Sequence, residues 1–335
     1  MTKICILGAG SWAIALSVLL HSNHHQMSMW EFNREDMERL SSERENPRKL
    51  PGVKVPDAVE ITDDLDHAAK DKEALLLALP SHTVRQVARR LSRTNLSDPT
   101  IVNLAKGIEN NTLCRMSEVL VQELPQSSHR RIVTLSGPSH AEEVARRIAT
   151  SVVVAGFEEN VAKKVQLLFM NQYFRVYTNS DLPGVELGGS LKNVIAIASG
   201  ICDGLKLGDN TKGALLTRGL AEMMRLGERM GAKTETFAGL SGMGDLITTC
   251  MSPHSRNRWV GEEIGKGKSL KQILDKMVVV AEGVRTTRSA YQLAGKYKVE
   301  MPITEQVYRV LFEDKNPKQA LLDLMSRDPK SEIWS

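Results

Sequence analysis

Cysteine is scarce and scattered. The chain has four, Cys5, Cys114, Cys202 and Cys250, with no CxxC pair among them, which argues against a zinc site and a disulfide framework and fits a reducing cytosol. His21, His24 and His25 cluster, but no carboxylate or cysteine completes a metal geometry around them, so no metal site is expected. No apolar run approaches the roughly 20 residues needed to span a bilayer, and the N-terminus lacks the charged stretch, apolar segment and cleavage site of a signal peptide. A cytoplasmic protein without an integral membrane segment is expected. No dense Lys/Arg run with interleaved aromatics appears, and the net charge of +4 with a pI near 8.8 is only mildly basic. Nucleic acid is therefore not an expected partner, whereas a small anionic substrate suits the modest cationic excess.

What is present is a globular composition, 41% hydrophobic and 25% charged over 335 residues, a length that favours two domains. Short apolar runs recur through the first half: KICILG, MSMWEF, AVEIT, ALLLALP, TIVNLAK, RIVTLSG, SVVVAG and FRVYT. Helix-like spacing separates most of them, as in His82 to Leu91 and Leu113 to Leu124. This alternation predicts a mainly parallel sheet with helices on both faces, and ligands beyond the carboxyl ends of the strands. After about Asp181–Gly184 the strand signals stop. ELGGSLKNVIAIASGICDGL places Leu191, Val194, Ile195, Ala198 and Ile201 on one face, although its glycines count against an unbroken helix. The expected architecture is an α/β N-terminal domain over 1–182 and an all-α C-terminal domain over 183–335, with a cleft between them.

Lys3 to Ala13, KICILGAGSWA, joins a strand, a glycine-rich turn and a helix start. Gly8 allows the tight turn, Gly10 leaves room for a pyrophosphate, and Ala13 stands at the third position, where a small residue keeps helix and strand close. Free N–H groups at the helix start would face the anion. At the end of MSMW, Glu31 stands where an acid would bind a ribose 2′-hydroxyl of NAD, while Asn33 and Arg34 are placed to contact the 2′-phosphate of NADP.

Several other residues carry chemistry, each with a plainer alternative. Lys106 lies at the carboxyl edge of the sheet, open between polarising a carbonyl, contacting a phosphate and a solvated loop lysine. Gly137, Pro138 and Ser139 open a helix, either as an oxygen-binding turn or as an ordinary cap in which Ser139 and Glu142 form a capping box. Lys192 sits among small and apolar neighbours, where burial would lower its pKa and suit it to proton transfer, unless it snorkels to the surface. Asp245 follows GLSGMG and would pair with a lysine, grip a substrate hydroxyl or cap its helix. Ser255 to Trp259, SRNRW, suits a phosphate monoester or forms a solvated basic face. Glu282 would accept hydrogen bonds from a ribose or carboxamide, or simply start a helix. Cys250 reads as a small packed residue.

Taken together, GAGSWAIAL, NLAKGIE, LSGPSHAEEV, ELGGSLKNVIAIASGICDGLKLGDNTKGALLTRGLAEM, GLSGMGDLITTC, SRNRWVG, VAEGVRTTRSAYQLA and MPITEQVY resemble the bacterial NAD(P)-dependent sn-glycerol-3-phosphate dehydrogenase family, in its order and spacing. The resemblance implies a Rossmann domain, a helical C-terminal domain, and interconversion of dihydroxyacetone phosphate and sn-glycerol 3-phosphate with NAD or NADP. It also implies a homodimer that supplies glycerophospholipid synthesis. By position, Ser11, Trp12, Gly137, Ala141, Arg256, Val280 and Glu282 join Gly8, Gly10, Arg34 and Lys106 at the cofactor. Lys192 matches the proton-transfer lysine, with Lys106 and Asp245 beside it. The expected substrate set is Lys106, Gly137, Ser139, Lys192, Asn193, Asp245, Ser255, Arg256 and Asn257. Gly188 and Ser190 replace the cysteine and alanine of many members, exchanges expected to matter little. Ala13 replaces the usual glycine and is expected to shift the helix slightly and weaken cofactor binding. Two-domain reductases of the 6-phosphogluconate and 3-hydroxyisobutyrate types would not be expected to carry SRNR and GLSGMGD together, and a catalytically silent nucleotide sensor would not need Lys106, Lys192 and Asp245.

Overall fold

Each of the eight apolar runs forms a strand. In the computed structural model, which describes residues 1–277 and 281–332, these are β1 (Lys3–Leu7), β2 (Gln26–Trp30), β3 (Glu60–Thr62), β4 (Ala74–Leu77), β5 (Thr100–Asn103), β6 (Ile132–Ser136), β7 (Thr150–Gly156) and β8 (Phe174–Asn179). They form one sheet in the order β3-β2-β1-β4-β5-β6-β7-β8. Strands β1, β4 and β6 are buried along nearly their whole length, as continuous apolar runs covered on both faces should be. Pairing is parallel except between β6 and β7. The link between those two holds only the short helix Ala141–Ala145. The chain order reverses direction across the sheet between β1 and β4, which opens the crevice where a dinucleotide fits.

Strand β8 ends at Asn179 and a helix of 23 residues, Leu182–Gly204, begins at once. Asp181 caps it, its carboxylate accepting from Gly184 N at 2.9 Å and from Lys233 N and Thr236 Oγ1 at 2.8 and 2.7 Å. Beyond it, every regular element among the described residues is helical. This core helix is apolar and long enough to cross a membrane, so the sequence does hold one such run; its apolar window is wholly buried in the protein. Buried Glu186 ties it to the sheet half, accepting from Arg115 at 2.7 Å and from Ser117 N and Oγ at 2.8 and 2.6 Å.

The helix is unbroken because its glycines are contact points and not breaks. The core helix lies directly on the helix Arg256–Gly265: a Cβ at Gly200 would stand 1.9 Å from Arg258 O, and one at Gly261 would stand 1.9 Å from Ile197 O. Backbone meets backbone, and any side chain forces the pair apart. Gly261→Ala is expected to destabilise the protein by about 3 kcal/mol, the upper range for overpacking a close contact. A chemical-denaturation midpoint equal to that of the parent protein would contradict this. Gly188 corrects an expectation for a similar reason. Its Cβ would lie 2.6 Å from Ser241 O on the π-helical turn Leu240–Gly244, so glycine there is not neutral in this chain. Ser190 donates to Glu186 O at 2.7 Å within its own helix.

Candidate active site

The first turn has the form a pyrophosphate requires. Gly8 adopts φ +102°, and a Cβ there would strike Ala78 O at 2.6 Å. Gly10 has nothing within 4 Å of where its Cβ would stand. It precedes the helix Ser11–Ser22, whose first N–H groups no side chain caps. Ser11 Oγ donates to Lys49 O at 2.5 Å, and Trp12 packs beside the fully buried Ala13 in the core of the sheet half. Ala13 is thus accommodated with the helix seated against the sheet.

At the end of β2 the structure fills in what the sequence left bare. Glu31 is buried, its Oε2 paired with Lys49 Nζ at 3.0 Å and its Oε1 accepting from Asn33 N at 3.0 Å. Asn33 caps the helix Arg34–Glu43 by accepting from Asp36 N at 2.9 Å. The cap occupies its Oδ1 and leaves the Nδ2 group as a donor. Arg34 is exposed and paired with Glu38 at 3.0 Å, a surface contact that a ligand phosphate would readily outcompete. Lys49, 18 residues further along the chain, is brought beside Glu31 only by folding.

Across the cleft, three charged groups converge. Lys106, from the loop after β5, donates to Asp245 Oδ2 at 2.7 Å and to Gly137 O at 2.9 Å. Lys192, midway along the core helix, donates to Asp245 Oδ1 at 2.8 Å and to Thr249 Oγ1 at 2.5 Å. One carboxylate therefore bridges two ammonium groups, one from each half of the molecule. Lys192 is 5% exposed and does not snorkel. Burial pushes its ammonium down to about 8, with Lys106 adding to the shift and Asp245 opposing it. Burial pushes the Asp245 carboxyl up, but the two lysines outweigh it and hold it below its ordinary value. Cys250, also buried, is pushed up to about 12 by burial and is unreactive packing, as read from the sequence.

The remaining residues divide between those that face the cleft and those that brace it. Gly137 takes φ +126°. Ser139 does not form the capping box with Glu142: its Oγ donates to Gly137 O at 2.9 Å, and His140 takes the cap position ahead of Ala141. Ser255 caps the helix Arg256–Gly265 by accepting from Arg258 N at 3.2 Å. Asn257 is buried, donating to Asn193 Oδ1 at 2.9 Å and accepting from Gly283 N at 2.9 Å. Both side chains brace the site, the Ser255 hydroxyl keeping its own proton as a donor, and Arg256 between them is exposed. Surrounding protein lowers the Arg256 guanidinium from its ordinary value, with Glu282 and Glu142 opposing the shift. Glu282 accepts from Ser81 N at 2.9 Å and Ser81 Oγ at 2.6 Å, a clasp between the halves that the sequence did not suggest. Val280 lies outside the described residues. Thr249 also escaped the sequence reading, although its i+4 spacing from Asp245 puts both on one helix face.

A Rossmann-type sheet with a phosphate-accepting first turn, facing a helical half that contributes a buried lysine, defines a two-domain dinucleotide-dependent oxidoreductase. Residues 3–162 match the family model for the NAD-dependent glycerol-3-phosphate dehydrogenase N-terminus and residues 181–322 that for its C-terminus. The chain belongs to the NAD-dependent glycerol-3-phosphate dehydrogenase family. It is 50% identical over 333 residues to a glycerol-3-phosphate dehydrogenase (NAD(P)+) of Bacillus cytotoxicus, covering 99% of this chain and 98% of the relative. A Pelotomaculum thermopropionicum protein of the same description is 53% identical over 331 residues, with 99% and 95% covered. The crystal structure of glycerol-3-phosphate dehydrogenase from Coxiella burnetii superposes with a TM-score of 0.92 at 38% identity, over 97% of this chain and 99% of that one.

Proposed function

We propose that the protein interconverts dihydroxyacetone phosphate and sn-glycerol 3-phosphate with NAD(P)H, using Lys192 as the proton-transfer residue. The observation that carries this assignment is the Lys106–Asp245–Lys192 bridge across the cleft. Bound NAD(P)H supplies the hydride that C2 of the substrate receives. The glycine turn at Gly8 and Gly10, with the first N–H groups of the Ser11–Ser22 helix, would hold its pyrophosphate. Gly137, Ala141, Glu282 and Arg34 would border the rest.

In the reductive direction Lys192 Nζ holds the proton and delivers it to the C2 oxygen as the C=O double bond becomes a single bond. In the oxidative direction the neutral amine takes that proton back. Lys106 stabilises negative charge developing on the same oxygen, and Asp245 fixes both ammonium groups. Arg256 and the N-terminal N–H groups of its helix take the phosphate, so binding energy far from C2 orients the carbonyl. The test is oxidation of NADH and of NADPH dependent on dihydroxyacetone phosphate; no turnover with either would end the proposal. Arg256→Ala is expected to raise KM for dihydroxyacetone phosphate by about tenfold or more, the loss of one charge-assisted contact. An unchanged KM would remove Arg256 from the phosphate site.

Four further readings belong to this proposal. The division of the chain at 182/183 follows the start of the core helix, cytoplasmic residence follows the cysteine usage, and a homodimer and a supply role for glycerophospholipid synthesis follow from family membership. Sedimentation equilibrium tests the dimer.

A further inference from the structure

His140 closes the turn that begins at Gly137, and the mechanism above gives it no task. It is half-buried. Its Nε2 is shut off from solvent and has no hydrogen-bond partner. A buried polar nitrogen left unpaired carries a cost that folded proteins rarely accept without a reason. The surroundings supply one. Lys192 and Asp245 from the helical half, Lys106 from the loop after β5 and Glu142 from its own helix all act on the imidazole. Its ring lies 5.9 Å from that of His254, the residue just before the Ser255 cap of the Arg256 helix. The imidazole thus stands between the lysine–aspartate bridge and the start of the phosphate-binding helix. A three-carbon phosphate ester must occupy that space if its C2 oxygen is to meet Lys192 while its phosphate meets Arg256. Lys192 is itself almost closed off, so substrate entry opens the space around both groups.

We propose that His140 is a substrate-contacting residue whose Nε2 donates a hydrogen bond to an oxygen of the phosphorylated three-carbon substrate. The inference rests on the reaction proposed above and adds a contact to it. Burial and Lys192 lower the imidazole from its ordinary value, against Asp245 and Glu142, so the free enzyme holds it neutral near pH 7. A neutral imidazole with one N–H has the donor needed and adds no further positive charge beside two lysines. Neither the P-S-H-A run nor its spacing marks this residue; the unpaired nitrogen does.

The experiment compares His140→Leu and His140→Gln with the parent enzyme, measuring kcat, KM for dihydroxyacetone phosphate and the Kd for NADH. His140→Leu is expected to raise KM for dihydroxyacetone phosphate about tenfold or more with the Kd for NADH nearly unchanged. His140→Gln, whose amide N–H reaches a similar point, is expected to recover most of the loss. A KM for His140→Leu equal to the parent's overturns the inference, as does a glutamine variant no better than the leucine one. Weakened NADH binding in both variants also overturns it, because the residue would then be structural. A parent enzyme inactive on dihydroxyacetone phosphate sinks the proposed reaction instead, a result distinct from any of these.

Discussion

Lys192→Ala lowers turnover by about two to four orders of magnitude, the span ascribed to a positioned acid–base group, with cofactor affinity nearly intact. The expectation follows from where the ammonium sits. Its nitrogen is buried and anchored to Asp245 and Thr249, so it serves proton transfer and makes none of the contacts of the first-turn phosphate site. The pH dependence provides an independent check. With the ammonium pushed down to about 8, the protonated form that reduction needs is lost as pH rises through that value. The neutral amine that oxidation needs appears over the same range. Reduction should therefore fall, and oxidation rise, through about pH 8, and both limbs should vanish in the alanine variant. Near-normal turnover in Lys192→Ala would remove this residue from the mechanism.

Asp245 is the second site where one substitution should have a large effect, and two replacements separate its roles. Asp245→Ala leaves two ammonium groups facing each other, one of them deeply buried, and breaking a buried ion pair in this way costs about 3–5 kcal/mol. Thermal unfolding should report a correspondingly lower Tm. Asp245→Asn keeps hydrogen-bonding capacity at that position but removes the negative charge. That charge raises the Lys192 pKa, so its loss moves the alkaline limb of the reductive profile to lower pH. Lys192 then carries less of its proton at neutral pH, and turnover should fall by about a hundredfold or more. An asparagine variant with the parent's pH profile would show that Asp245 does not set the charge state of Lys192.

How much of this was legible beforehand depends on whether a feature is local. All eight strands were visible as short apolar runs; the central ones, buried on both faces, leave that mark most strongly, while the edge strands β3 and β8 are partly exposed. The antiparallel course of β7 left none, since SVVVAG reads the same in either direction of pairing. Lys192 stood out because a lysine among small and apolar residues on a helix is costly, and burial duly resolves into the pair with Asp245. What the sequence concealed are partnerships made by distant segments. Lys49 reaches Glu31, Ser81 clasps Glu282 across 201 positions of chain, and Asn257 is taken up by Asn193 and Gly283. SRNR advertises four polar side chains in a row, yet folding engages Ser255 and Asn257 as braces, pairs Arg258 with Asp203 and leaves Arg256 exposed. Periodicity could suggest which residues lie on a helix, but not which neighbour claims their hydrogen bonds.

The close approach of the two helices at Gly200 and Gly261 has a consequence for selectivity. On the proposed roles, the helix bearing Lys192 and the helix bearing Arg256 are the proton donor's mount and the phosphate's mount, and they touch through main-chain atoms with no side chain interposed. The separation between the two mounts is therefore a ruler cut into the polypeptide itself. Side chains around it can be exchanged without altering its length, so a phosphorylated ketone one carbon longer would find its anion and its carbonyl out of step with a scale that no single rotamer change can reset.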